Sequence, residues 1–358
     1  MLLEATAHAL RTYHGVDAVP SSALEPDLGG FDAVHLFGIV RPQEVWVQAR
    51  NARRQGKPVL LSTVYCDVTE FEATERAGPV GWLARHTSVD AFEALKAAGR
   101  AAHNREWGKG ATALVTRGFT RLEREIVDMT ALFLPNSWSE WRRLSHSLDL
   151  RIGDDRVVIV PNGVDLAESD VGSADPDELR RLEHLRDSVL CVARIEGRKN
   201  QLRLIEALQG TDLTLVLAGR ATPNQTRYVA KVRTAADSSA RVHYLGGVSS
   251  DTKLALYSLA RVHALPSWME TTGLSSIEAA VGGCSLVISP NGDTEEYFGD
   301  LAEYCDPGDV DSIREAVLRA YAMPPSMELA RKIQAEYTWE RAAAKTYAAY
   351  QRVIAERA

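Results

Sequence analysis

Short apolar runs alternate with longer amphipathic patterns along almost the whole chain. The runs include FDAVHLFG, KPVLLS, ALFLP, VVIV, VLCVA, LVLAG and VHALP, and most are followed by a stretch with helical spacing. That alternation argues for an α/β fold with parallel sheets covered by helices on both faces. A chain of 358 residues is long for one core and suits two domains. The boundary is read where the charged stretch RIGDDR precedes VVIV, giving domains 1–155 and 156–337 and a last helix within 338–358. Residues 167–176 read as a polar surface loop, and no repeat or low-complexity tract is present in the sequence.

Composition narrows the partners. Hydrophobic residues make up 45% and charged residues 25%, as in ordinary soluble globular domains. The net charge of −7 gives no global basic field for nucleic acid. Arg50, Arg53, Arg54 and Lys57 fall on one expected helix and read as a solvated face. Cys66, Cys191, Cys284 and Cys305 lack metal-ligand spacing and are expected to be reduced thiols of a cytoplasmic protein. No signal-peptide pattern opens the sequence, and no apolar run approaches the roughly 20 residues that span a bilayer.

The candidate chemistry centres on Glu270 and Glu278, seven residues apart in PSWMETTGLSSIEAAVGG. A strand runs into Pro266, a loop carries Glu270, and a helix is expected from Leu274 to Val281. Leu274, Ile277 and Val281 should face the core. Side chains on a helix lean toward its N-terminus, so the Glu278 carboxylate should point back toward Gly273. That end exposes free N–H groups of Gly273, Leu274 and Ser275 and suits phosphate. Two carboxylates beside an anion site describe a pocket for a phosphorylated polyol. Arg194 and Lys199 sit in a second strand-to-helix loop, VARIEGRKN, and ligands of open α/β sheets bind at such carboxyl ends. They are placed to neutralise a diphosphate, Arg as a planar fork and Lys as a point charge. Glu196 has the wrong sign for that, and Arg198 reads as the solvent-facing cation. Solvated surface residues remain the alternative for both the Glu pair and the two cations.

VIVPNGVD, VARIEGRKN, LVLAG, HYLGGVSSDTKLALYSLARVHALPS, ETTGLSSIEAA, LAEYCDPGDVDSIREAVLRA and YTWERAAAKTYAAYQRVI together resemble the retaining glycosyltransferases of family 4, which have the GT-B fold. Coverage is nearly continuous from residue 156 and weaker before it. The resemblance implies two Rossmann-like domains facing across a cleft, with the C-terminal helix crossing back to the first. It implies a nucleotide-diphosphate sugar as donor, an acceptor that the residues do not identify, and configuration retained. Arg194 and Lys199 would stabilise the leaving diphosphate, Glu270 would hold sugar hydroxyls and Glu278 the ribose. Base contacts would be mostly backbone, at 246–248 with Val248. The leaving phosphate would take the acceptor proton, so neither a carboxylate base nor a metal or other cofactor is expected. Asp309 and Asp311 imitate a metal-binding Asp-x-Asp but read as a helix cap. No nucleic-acid partner is expected, and a peripheral membrane contact is left open.

The chain departs from the family in four places. Its opening, MLLEATAHALRTYHGVDAV, reads as the first helix and second strand, with the first strand and its Gly-rich loop absent. Ser62, Thr63, Tyr65, Cys66 and Asp67 follow a strand where relatives often carry a His. Tyr65 or Asp67 could take the sugar contact, or be core and surface residues. Thr271 and Thr272 stand where Gly–Phe is frequent, and Ala193 where Gly is common. His35 and His103 are further candidates for polar contacts, and Trp339 either pins the crossing helix or fills core. The alternatives are a weak or inactive nucleotide-sugar-binding scaffold, a phosphorylase or epimerase on the same fold, and a transferase acting on modified DNA.

Overall fold

Parallel strands need a crossover between them, and helices supply it throughout this chain. The computed structural model describes residues 2–66, 90, 91, 94, 108–164, 172, 174–324 and 327–356. It divides into two units: Met1–Pro161 with Trp339–Ala358, and Asn162–Thr338. Asp67, His103 and most of 167–176 lie outside the described residues.

The first unit runs α1 (Leu2–His14), β1 (Val34–Phe37), α2 (Pro42–Arg54), β2 (Val59–Ser62), α3 (Lys109–Arg117), α4 (Phe119–Met129), β3 (Leu132–Phe133) and α5 (Trp138–Leu148). Its strands pair in parallel in the order β1-β2-β3 among the described residues. Side chains alternate across a strand. Val59, Leu61 and Phe133 therefore pack with Trp46, Leu114, Leu122 and Ile126 of the helices. Leu60, Leu132 and Leu134 cover the other face. The run 157–160 continues this sheet: Val158 N–H donates to Phe133 O and Val160 N–H to Pro135 O, both at 2.9 Å. Those bonds satisfy the outer edge of β3. They keep the run in the first unit, so the division falls after Pro161 and not after residue 155.

Residues 15–20 form no strand, contrary to the sequence reading. Their backbone is engaged locally. Val16 N–H returns to Leu10 O at 3.3 Å. Arg11 donates to Ala18 O from Nε at 2.9 Å and from Nη2 at 2.6 Å. Residues 2–14 are helical, and the first strand described is β1.

The second unit contains α6 (Pro176–Leu182), β4 (Val189–Val192), α7 (Gln201–Ala207), β5 (Leu215–Ala218), α8 (Thr226–Asp237), β6 (Val242–Gly246), α9 (Ser250–Leu259), β7 (Val262–Leu265), α10 (Leu274–Val281), β8 (Ser285–Ile288), α11 (Thr294–Phe298), β9 (Glu303–Tyr304), α12 (Val310–Ala322) and α13 (Met327–Glu336). All pairs are parallel, in the order β6-β5-β4-β7-β8-β9. β5 and β7 are buried at every position, as strands covered on both faces must be. Strand order reverses between β4 and β7, which makes their carboxyl ends the topological switch point. Asp309 caps α12 by accepting the Asp311 N–H at 2.9 Å.

The last helix, α14 (Trp339–Ala355), belongs to the first unit. Ala349 and Val353 pack on the Leu60 face of the sheet. Ala343 packs with Ala9 and Leu10 of α1, and Trp339 is partly buried against them.

Candidate functional site

Two loops meet at the switch point of the second unit. One leaves β4 at Val192 and enters α7 at Gln201; the other leaves β7 at Leu265 and enters α10 at Leu274. Trp268 N–H donates to Arg198 O at 2.9 Å, and Arg198 Nη1 donates to Met269 O at 2.5 Å. The Lys199 ammonium pairs with the Glu270 carboxylate, and both side chains are largely buried. Burial pushes the Glu270 carboxyl up, but Lys199 and Arg198 together hold it below the ordinary carboxylate value.

The Glu270 backbone is fixed as firmly. Its N–H donates to Asn291 O at 3.2 Å, and its carbonyl accepts the Asp293 N–H at 3.1 Å. Gly292 lies between them at φ +108°, and a Cβ there would come 1.8 Å from Glu270 O. Only glycine fits such an approach. The β4 loop is held from behind. Gln201 Nε2 donates to Arg194 O at 2.9 Å, Gly197 N–H donates to Gln225 Oε1 at 2.7 Å, and Ile195 N–H donates to Arg220 O at 3.0 Å.

Arg198 is not the solvent-facing cation that the sequence suggested. The Arg198 side chain is only 19% exposed, bound to Met269 O and 3.2 Å from buried Glu196. The Arg194 side chain is 65% exposed and approaches Glu196 only to 3.5 Å. Arg198 is therefore a structural clamp between the loops, and Arg194 is the cation open to a ligand. Glu196 has the wrong sign for phosphate because its task is to neutralise Arg198.

At the start of α10, Gly273 adopts the left-handed conformation (φ +65°) as N-cap. The N–H groups of Gly273, Leu274 and Ser275 carry no hydrogen bond among the described residues. Open N–H groups at a helix N-terminus can receive an anion. Leu274 is 46% exposed and does not face the core as expected. The buried stripe begins only at Ser276 and Ile277, because Leu274 occupies the opening turn beyond the packed part of the helix. Glu278 accepts from Lys253 Nζ at 2.9 Å and from the Tyr257 hydroxyl at 3.0 Å. Beyond β5, Gly219 N–H donates to Gly246 O at 2.7 Å. Val248 packs partly buried against the core of the second unit.

Other candidates lie elsewhere. His35 is engaged inside the first unit, its Nδ1 2.9 Å from the Tyr350 hydroxyl and its Nε2 2.9 Å from Ser62 Oγ. Burial pushes its pKa down to about 3, so it ties α14 to the sheet as a neutral ring. Tyr65 is buried and donates its N–H to Glu140 Oε1 at 2.8 Å. Arg54 pairs with Glu25 at 3.1 Å, and Arg50 lies over the Trp46 ring at 4.6 Å. Burial raises the Cys191, Cys284 and Cys305 thiols to about 12, which makes them unreactive. Among the described residues no group of three or more His, Cys, Asp or Glu could hold a metal. None of the described helices is long and apolar enough to cross a membrane.

Sequence reasoning missed Lys253, Tyr257, Gln201, Gln225 and His263. Lys253 precedes Glu278 by 25 residues with no local pattern to join them. His263 lies fully buried in β7, where burial pushes its pKa down to about 3. Nothing in an apolar strand run marks such a residue.

Residues 181–337 match the family model described as Glycosyl transferases group 1. D-rhamnosyltransferase WbpZ of Pseudomonas aeruginosa is 31% identical over 169 residues, 44% of each chain. The MMP alpha-(1->4)-mannosyltransferase of Mycolicibacterium hassiacum is 26% identical over 220 residues, 58% of this chain and 51% of that one. The chain thus spans about half the length of the curated relatives it matches. Among solved structures, sucrose-phosphate synthase of Thermosynechococcus elongatus superposes with a TM-score of 0.66 at 18% identity, over 91% of this chain and 75% of that one. HepE of Anabaena, in complex with UDP and glucose, gives 0.59 at 16% identity, over 97% and 81%. The chain has the GT-B fold of these structural neighbours, and residues 181–337 are similar to the glycosyl transferases group 1 model.

Proposed function

We propose that this protein is a retaining glycosyltransferase that moves a sugar from a nucleotide-diphosphate sugar to an acceptor without a metal ion. The observation that carries the reading is the meeting of the β4 and β7 loops at the switch point. It sets the Lys199–Glu270 pair there, with exposed Arg194 and the open N-terminus of α10 on the same two loops.

Negative charge develops on the leaving diphosphate as the glycosidic bond breaks. Arg194 and Lys199 stabilise it, together with the N–H groups of Gly273, Leu274 and Ser275. Fixed donors of this kind need no reorganisation during the reaction. Glu270 is ionised and cannot act as an acid, so it accepts hydrogen bonds from the donor sugar. Lys199 holds it in place and lies between the sugar and the phosphate. Glu278 accepts from the ribose. The leaving phosphate takes the acceptor proton, and the acceptor attacks the face that the diphosphate leaves. The relatives named as rhamnosyl- and mannosyltransferases support a hexose or deoxyhexose as the transferred sugar. The neighbour in complex with UDP and glucose supports a nucleotide sugar as donor.

The test is a panel of UDP-, GDP- and ADP-sugars with EDTA present. Release of nucleoside diphosphate and an α-linked product from an α-linked donor are expected. Tight nucleotide binding without turnover on any donor and a broad acceptor panel would turn the reading to a binding scaffold.

A further inference from the structure

Glu278 is more tightly held than a carboxylate awaiting two hydroxyl groups should be. Lys253 Nζ stands 2.9 Å from Oε1 and 2.9 Å from Oε2. Equal distances put the ammonium on the bisector of the carboxylate, where it uses the inward lone pair of each oxygen. The Tyr257 hydroxyl, 3.0 Å from Oε2, takes a second position on that oxygen. A carboxylate offers about four acceptor positions in all. Among the described residues three are filled, and the outer lone pair of Oε1 is left.

The donors do not swing freely. Tyr257 is 1% exposed, and the buried His263 ring stands edge-on to it, 6.2 Å between centroids. Burial, with the Glu278 carboxylate beside it, keeps the hydroxyl protonated as a donor. The first turn of α9 is anchored around Lys253. Ser249 Oγ accepts the Thr252 N–H at 3.1 Å, and Thr252 Oγ1 donates to Glu178 Oε2 at 2.8 Å. The Lys253 side chain is 29% exposed, so its ion pair is more than a solvated surface contact.

We propose that Lys253 and Tyr257 are positioning residues that lock Glu278 with only Oε1 open, so that it accepts one ribose hydroxyl and not both. This rests on the reading that Glu278 faces the ribose of the donor. The consequence is a nucleotide site that distinguishes the 2′- from the 3′-hydroxyl, although a free carboxylate would engage the two alike.

Calorimetric titration of the full chain with UDP, GDP and ADP selects the tightest diphosphate as probe. Its 2′-deoxy and 3′-deoxy forms are then titrated. One is expected to bind roughly tenfold more weakly, the loss of a hydrogen bond to a charged group, and the other within about twofold of the parent. In Lys253→Met both inward positions open, and the two analogues should become equally weak. Lys253→Arg refills them with a fork and should restore the one-sided response. Equal weakening of both analogues in the wild type overturns the lock. A one-sided response that survives Lys253→Met removes Lys253 from the role. If neither analogue is weakened, Glu278 does not meet the ribose, and it is the underlying reading that fails. The wild-type comparison needs no variant to fold, and Tyr257→Phe gives a second opening of the lock at Oε2.

Discussion

At the scale of single residues, the two cations proposed for the diphosphate should behave differently when removed. Arg194 is exposed and approaches buried Glu196 only to 3.5 Å, farther than Arg198 does, so Arg194→Ala should change stability little and lower turnover about 100-fold, as loss of an oxyanion donor does. Near-normal turnover in that variant would take Arg194 out of the site. Lys199→Ala should lower turnover as much and also cost roughly 3–5 kcal/mol in denaturant unfolding, because it strands Glu270 as an unpaired buried charge. The same pair sets a pH dependence. The folded-state pKa of Glu270 is depressed, so its contribution to stability is present above the ordinary carboxylate range and is lost as pH falls through the folded value. Wild type and Glu270→Gln should therefore differ in unfolding free energy at neutral pH, with a gap that narrows as pH falls below the ordinary carboxylate range. A constant gap down to pH 2 would contradict the pairing. The carboxylates separate as well: Glu278→Ala should weaken bare nucleoside diphosphate, and Glu270→Ala should spare it and impair only the sugar-loaded donor. Equal weakening by both would reverse the assignment.

At the scale of elements, the site depends on loops braced by backbone contacts. Gly292→Ala places a Cβ against Glu270 O and at positive φ, so it should dislodge the β7 loop as well as strain its own backbone. Gly210, at φ +77° with nothing within 4 Å, is the control for strain alone. Gly210→Ala should cost about 1 kcal/mol and leave donor affinity intact, whereas Gly292→Ala should cost more and reduce it. Equal losses of affinity would mean that the Glu270–Gly292 bridge does not shape the site. In the first unit, Glu140 braces the segment after β2. It accepts the Tyr65 N–H at 2.8 Å, the Asn136 N–H at 2.9 Å and the Thr63 hydroxyl. Three donors on one buried carboxylate leave no place for an amide NH2. Glu140→Gln should thus destabilise by about 1–3 kcal/mol despite its identical size.

For the whole molecule, each unit has its own core: one large cluster within residues 164–337, and separate clusters in the first unit that include α14. Residues 162–338 expressed alone should unfold cooperatively, and about 100 times the Kd of the preferred nucleoside diphosphate should stabilise them by about 2.7 kcal/mol. A fragment without a cooperative transition would show that the second unit needs the first to fold. The sequence by itself determined the α/β class, the parallel sheets, the helical start of the chain, the loops that carry Arg194, Lys199 and Glu270, and the helix that carries Glu278. Those follow from local periodicity and from spacing within one strand-loop-helix segment, which neighbouring residues encode. Residues 15–20 misled because a β-rich pattern does not report whether a partner strand is within reach, and here Arg11 and Leu10 take the backbone instead. Leu274 misled because spacing gives the face of a helix but not where its packing begins. Tertiary structure alone decided that Arg198 clamps and Arg194 stays open, that Lys199 neutralises Glu270, and that Lys253 and Tyr257 hold Glu278. Each of these joins residues from different strand-helix units, brought together where strand order reverses, and charge partners chosen across that distance leave no mark in the local sequence.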